Sequence, residues 1–219
     1  MSGRSHALAL RLRPKRLIRA LPIAARDVLL RALPAGAMER DFLLARFHEG
    51  TTGAEIGVHE GDFSRRVLQM ARPARLHLID PWVYEDSPAF AQSLYGGRRG
   101  GSQARMDRRH AAVERRFGRE IAAGQVTVHR RRSAEASASF ADETLDWVYV
   151  DGDHRHEAVL HDLELYLPKV KRGGLLTGDD YGSGGWWGDG VRTAVHAFLG
   201  RGSCALVETR DRQFVLRKL

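Results

Sequence analysis

The stretch GAEIGVHEGDFS, Gly53–Ser64, passes from a short apolar run through two glycines into a helical pattern. The run has the length of a buried strand. Gly57 lets the backbone turn tightly and approach a ligand. Gly61 opens a helix expected over Asp62–Ala71, with Phe63, Val67 and Met70 inward. The order E-x-G-x-x-x-G is not the G-x-G-x-x-G of dinucleotide sites, and it lacks the Lys-Ser/Thr of a phosphate loop. Outward from this unit the alternation recurs. ARLHLID, QVTVHR, LDWVYVDG and GGLLTGDD are further short apolar runs, read as strands. Helical periodicity fills Glu39–His48, Gln103–Ala123 and His154–Val170, and CALVETR with RQFVLRK reads as a terminal antiparallel hairpin. Strands alternating with helices predict a doubly wound α/β fold, whose ligands bind beyond the carboxyl ends of the strands.

The chain's 219 residues, 43% hydrophobic, suffice for one good core. Its single cysteine, Cys204, excludes an intramolecular disulfide and suits a reducing cytoplasm. No run approaches the length of a membrane span, and arginines interrupt the apolar residues of the N-terminus where a signal peptide would be continuous. The net charge of +8 concentrates in residues 1–35 and between Arg98 and Arg119. The first region reads as an accessory helix with a solvated basic face, amphipathic enough for peripheral membrane contact. Aromatics are not interleaved with the basic residues, so no specific nucleic acid is expected.

Acids stand where strands end. Asp80, after LHLI, is placed to take both hydroxyls of a ribose. Ser133, after VTVHRRR, is placed to touch an adenine edge. Asp151 closes one strand and Asp179–Asp180 the next, which a doubly wound sheet makes neighbours. Three unpaired carboxylates in one cleft raise each other's pKa unless a cation neutralises them, and all-oxygen ligands suit Mg²⁺. The competing reading makes them caps of the following turn and helix.

These motifs resemble the class I S-adenosylmethionine-dependent methyltransferases, from about Thr52 to Leu219. The resemblance implies a seven-stranded, mostly parallel sheet with an antiparallel last strand. It divides the chain into a basic helical extension, residues 1–50, and a methyltransferase domain, residues 51–219. Glu55, Gly57 and Gly61 would form the loop on the methionine side of S-adenosylmethionine, with Asp80 on the ribose and Ser133 on the adenine. D-G-x-H followed by a paired acid after the next strand further resembles the metal-dependent sugar O-methyltransferases of macrolide and antibiotic synthesis. That resemblance implies Asp151, Asp179 and Asp180 as ligands of Mg²⁺ or Mn²⁺. The base is His154 in one branch and Asp153 in the other, and this chain carries both. Imidazole titrates near the working pH, which favours His154. His156 should point away and Glu157 should favour the helix dipole.

Trp186 and Trp187, in the Gly-rich YGSGGWWGDG, suit stacking on a sugar or aromatic acceptor, or one of them could fill core. The segment from Trp82 to Arg109, with Tyr84 as a further substrate contact, is too long for an ordinary connection and reads as a lid. The expected acceptor is a small saccharide, a mannose-type polysaccharide precursor among them. A phenolic small molecule is the alternative, and a basic RNA- or membrane-associated module on a degenerate fold is the non-enzyme reading. A homodimer is left open.

Overall fold

The computed structural model describes residues 18, 20–182 and 184–219. Most of the basic leader before α1, and with it the stretch expected to be amphipathic, therefore lies outside the described residues. Seven strands form one sheet: β1 (Thr52–Ile56), β2 (Arg75–Ile79), β3 (Val126–His129), β4 (Leu145–Val150), β5 (Val170–Gly178), β6 (Cys204–Arg210) and β7 (Gln213–Lys218). Their order is β3-β2-β1-β4-β5-β7-β6. The first five run parallel, and β7 is antiparallel to both β5 and β6. The expected fold class is what forms.

The helices are α1 (Ile23–Ala32), α2 (Asp41–Leu44), α3 (Asp62–Met70), α4 (Gly97–Gly100), α5 (Gln103–Arg116), α6 (Gly118–Ala122), α7 (Ser133–Ser137), α8 (His156–Tyr166) and α9 (Gly190–Leu199). β4 shows how the sheet sorts its residues, since successive strand side chains face opposite ways. Val148 and Val150 join Val159, Leu163, Val195 and Phe198 on the α8–α9 side. Trp147 and Tyr149 join Leu44, Val67, Met106 and Phe117 on the other. Burying each large apolar side chain contributes about 1.5–3 kcal/mol, so both faces are needed.

Several elements differ from expectation for local reasons. The helix expected over Gln103–Ala123 breaks at Phe117, which is fully buried with φ −107° and ψ 15°, ahead of Gly118. The helix expected from Glu39 shrinks to α2. The lid doubles back, with Glu85 bridging to Gly96 and a 3₁₀ turn at Pro88–Phe90. In the described part of the extension, α1 leaves Arg31 exposed but turns other charges inward. Arg26 is only 4% exposed and pairs with Glu60 and Asp62, while Asp27 pairs with Arg65 and Arg116. No helix among the described residues is long and apolar enough to cross a membrane.

Candidate active site

The strand order reverses between β1 and β4, and the chain opens a crevice where these two strands end. Gly57 follows β1 at φ +89°, and a Cβ there would lie 2.0 Å from the Asp151 carbonyl oxygen. Only glycine lets the two strand exits approach this closely. Above them is a cavity of about 700 Å³, lined among others by Glu55, Gly57, Tyr95, Asp151, His154 and Trp187. That volume suits a small-molecule site.

Glu55 is 2% exposed, and one of its oxygens accepts a hydrogen bond from Ser64 at 2.6 Å. Burial lifts its carboxyl pKa to about 8, against the lowering effect of Ser64. An ammonium group would relieve that burial, which suits the methionine end of the expected cofactor.

Asp80 is 1% exposed and does not line the cavity. It accepts from the backbone N–H groups of Val58, His59 and Trp82, at 3.1, 2.9 and 2.8 Å, and from the Tyr95 hydroxyl. Tyr95, which does line the cavity, thus stands on the carboxylate expected to hold the ribose. Gly61, at φ +75°, opens α3 as expected, but its missing side chain makes room for the Phe117 ring and it does not line the cavity. The Ser133 hydroxyl donates to Asp162, which is 5% exposed, and Ser133 is likewise outside the cavity lining. Tyr84 packs against the second core and its backbone N–H donates to Gln103. It is outside the lining because the lid folds back on itself; Tyr95 takes the place over the cavity.

The three strand-end acids converge, but they are not unpaired. Arg40, from the extension, donates through Nη1 to Asp151 at 2.8 Å and through Nη2 to Asp179. Asp179 also accepts from the Asp180 backbone N–H and from Gln213. Arg212 donates to Asp180 at 2.7 Å. The acids are therefore not unpaired as expected: two guanidiniums offset part of the charge of the three carboxylates.

His154 lies between two of the acids, with Nε2 3.3 Å from Asp151 and Nδ1 3.3 Å from Asp180. Asp151, His154 and Asp180 each offer an atom within 4.8 Å of the others, a set that could hold a metal ion. Asp179, expected in that set, faces Arg40 and Gln213 instead. Burial alone would raise the Asp151 pKa, but Arg40 and His154 hold it below the ordinary carboxylate value. Burial would lower His154, yet its hydrogen bond to Asp151 and the charges of Asp151 and Asp180 carry it above the ordinary imidazole value.

Asp153, the other candidate base, is held by the Arg155 backbone and guanidinium and does not line the cavity. His156 bonds Thr193, and Glu157 is exposed in the first turn of α8, as expected. Trp186 and Trp187 both line the cavity. The Trp187 ring stands edge-on to His154 with centroids 4.7 Å apart, and its Nε1 is buried without a hydrogen-bond partner. It also packs against the first core, so the substrate and core readings share one side chain. Arg40 was not legible in the sequence: it meets Asp151 across 111 positions, with no local pattern to mark it.

Comparisons with known proteins bear on the fold and the family. An uncharacterised protein of Acanthamoeba polyphaga mimivirus is 38% identical over 42 residues, so the match spans 19% of either chain. A cofactor-bound protein from MTB superposes with a TM-score of 0.60 at 15% identity, covering 94% of this chain and 93% of that one. An O-methyltransferase family protein from Burkholderia thailandensis gives 0.50 at 11% identity, covering 93% and 57%. At these identities the likeness establishes the fold. The family described as a methyltransferase domain matches residues 54–181, more than half of the chain, from within β1 to just past Asp180. The chain belongs to that family and is an S-adenosylmethionine-dependent methyltransferase of class I fold.

Proposed function

We propose that the chain moves the methyl group of S-adenosylmethionine to a hydroxyl of a sugar or oligosaccharide, with Mg²⁺ or Mn²⁺ as a second cofactor. The observation that carries this reading is His154, held between Asp151 and Asp180 in the cavity that Glu55 and Gly57 share. A hydroxyl is a weak nucleophile until its proton leaves, and a positioned imidazole is the commonest group to take it. The two flanking carboxylates fix the ring and stabilise the imidazolium that results. Trp186 and Trp187 offer faces for a sugar ring.

Asp151 and Asp180 would hold the cation, with His154 within reach. Bound there, a divalent cation lowers the pKa of a coordinated hydroxyl. Methyl transfer is tested by incubating the protein and S-adenosylmethionine with short saccharides and with catechols, with and without chelator. Saccharide methylation that falls in chelator and returns with Mn²⁺ is expected. His154→Ala should keep cofactor and Mn²⁺ binding while turnover drops by roughly 10²–10⁴-fold. Methylation of catechols alone moves the acceptor to the phenolic class, and Asp153→Asn killing turnover while His154→Ala is silent moves the base.

A further inference from the structure

We propose that Arg40 is the built-in counter-cation of this active site, holding the strand-end acids in competition with a divalent cation. This rests on the cation reading above. Arg40 is not in the span that the methyltransferase family matches; it comes from the turn just before α2. Its guanidinium forks across Asp151 and Asp179, the exits of two neighbouring strands. Two aromatic rings flank it, with Phe63 and Tyr149 centroids 5.5 and 5.6 Å away. Such contacts are strongest for a cation held away from water. The Arg40 side chain is only 16% exposed, and its Nε is buried without a partner. This is a fixed fork with the geometry that arginine, and not lysine, supplies.

The charges show what the fork does. Three carboxylates face Arg40, Arg212 and the imidazole of His154. A divalent cation entering at Asp151, His154 and Asp180 meets acids whose charge is already answered, and it meets the Arg40 charge through the shared Asp151. Arg212 is 47% exposed and screened by solvent, so Arg40 is the stronger competitor. Coupling between two ligands of one site is reciprocal, so the cation must in turn weaken the hold of Arg40, and hence of the segment that carries it.

The test is a Mn²⁺ titration followed by electron paramagnetic resonance on the full chain, for wild type, Arg40→Met, Arg40→Lys and Arg212→Met. Arg40→Met keeps a stem between the two rings and removes the charge. It is expected to bind Mn²⁺ at least about tenfold tighter than wild type, given the strength of charge pairs at a partly buried site. Arg40→Lys, which keeps the charge but not the fork, should fall between wild type and Arg40→Met, and Arg212→Met should gain less than Arg40→Met. In wild type, saturating Mn²⁺ should lower amide-exchange protection across residues 38–44. Equal or weaker Mn²⁺ binding by a folded Arg40→Met that still takes up S-adenosylhomocysteine overturns the role of Arg40 alone. Absence of Mn²⁺ binding at millimolar concentration in every variant overturns the cation reading itself, and this proposal with it. Should Arg40→Met not fold, unchanged protection in wild type overturns the proposal.

Discussion

Glu55 shows how one side chain can report on its ligand. Its carboxyl, ordinarily near 4.5, is lifted to about 8 by burial, so the cofactor-free protein keeps it protonated at neutral pH. A raised folded-state value means that the folded chain holds more protons than the unfolded one between those two values. Its contribution to stability therefore falls as pH rises through that window. A cofactor ammonium favours the ionised form, so binding at pH 7 should expel close to one proton from Glu55. Calorimetry of S-adenosylhomocysteine binding in buffers of different ionisation enthalpy measures this. Glu55→Gln should abolish the proton release and weaken binding by about 1.5–3 kcal/mol, the scale of a hydrogen bond to a charged group. Release that persists in Glu55→Gln would assign the proton elsewhere. Glu55 and Gly57 were legible in the sequence because both sit in one local strand–turn–helix motif. Arg40 was not, because it reaches its acids through tertiary folding, and the contact of Tyr95 with Asp80 was hidden for the same reason. The strand-end acids looked unpaired because a distant guanidinium leaves no mark beside them in sequence.

The loop joining β1 to α3 is held by a single carboxylate. Asp80 ends β2, accepts two of that loop's N–H groups, and closes the Trp82 turn and the Tyr95 lid with its remaining bonds. Its ribose-binding role remains a proposal, and the lid decides it. Tyr95→Phe removes the competing hydroxyl and should leave S-adenosylhomocysteine affinity unchanged or tighter. Asp80→Asn should weaken that affinity and also lower the melting temperature, because a buried N–H left unpaired costs about 1–3 kcal/mol. If Tyr95→Phe weakens the cofactor more than Asp80→Asn does, Tyr95 is the ribose contact and Asp80 only its support. At this scale most strands were read to within two residues, since runs such as LDWVYV have few alternatives, but β5 begins at Val170, in a stretch expected to be helical. Helix ends were read less well. α5 stops where Phe117 is drawn into the core, and α8 starts two residues after the expected His154, each settled by packing that periodicity does not see.

Across the whole molecule, buried ion pairs bind the extension to α3 and α5. Asp27 answers Arg65 and Arg116, and Asp41 answers Arg66, with the arginines 2–5% exposed. Arg66 also donates to the carbonyl groups of Leu30, Leu33 and Pro34. Breaking a buried pair by removing one partner costs about 3–5 kcal/mol. A chain beginning at Arg46 should therefore melt far below the full chain or fail to fold. Scanning calorimetry of the two compares them directly, and an unchanged transition would show these pairs to be dispensable. Arg66 lies inside the span shared with other methyltransferases and its counter-charge, Asp41, before it, while Arg65 and Arg116 divide theirs between Asp27 before it and Glu120 and Asp62 within it. Inheritance and physics thus draw the edge of this molecule in different places. Transplanted as a cassette without the preceding segment, the shared span would carry one stranded cation and two half-answered ones into its new host.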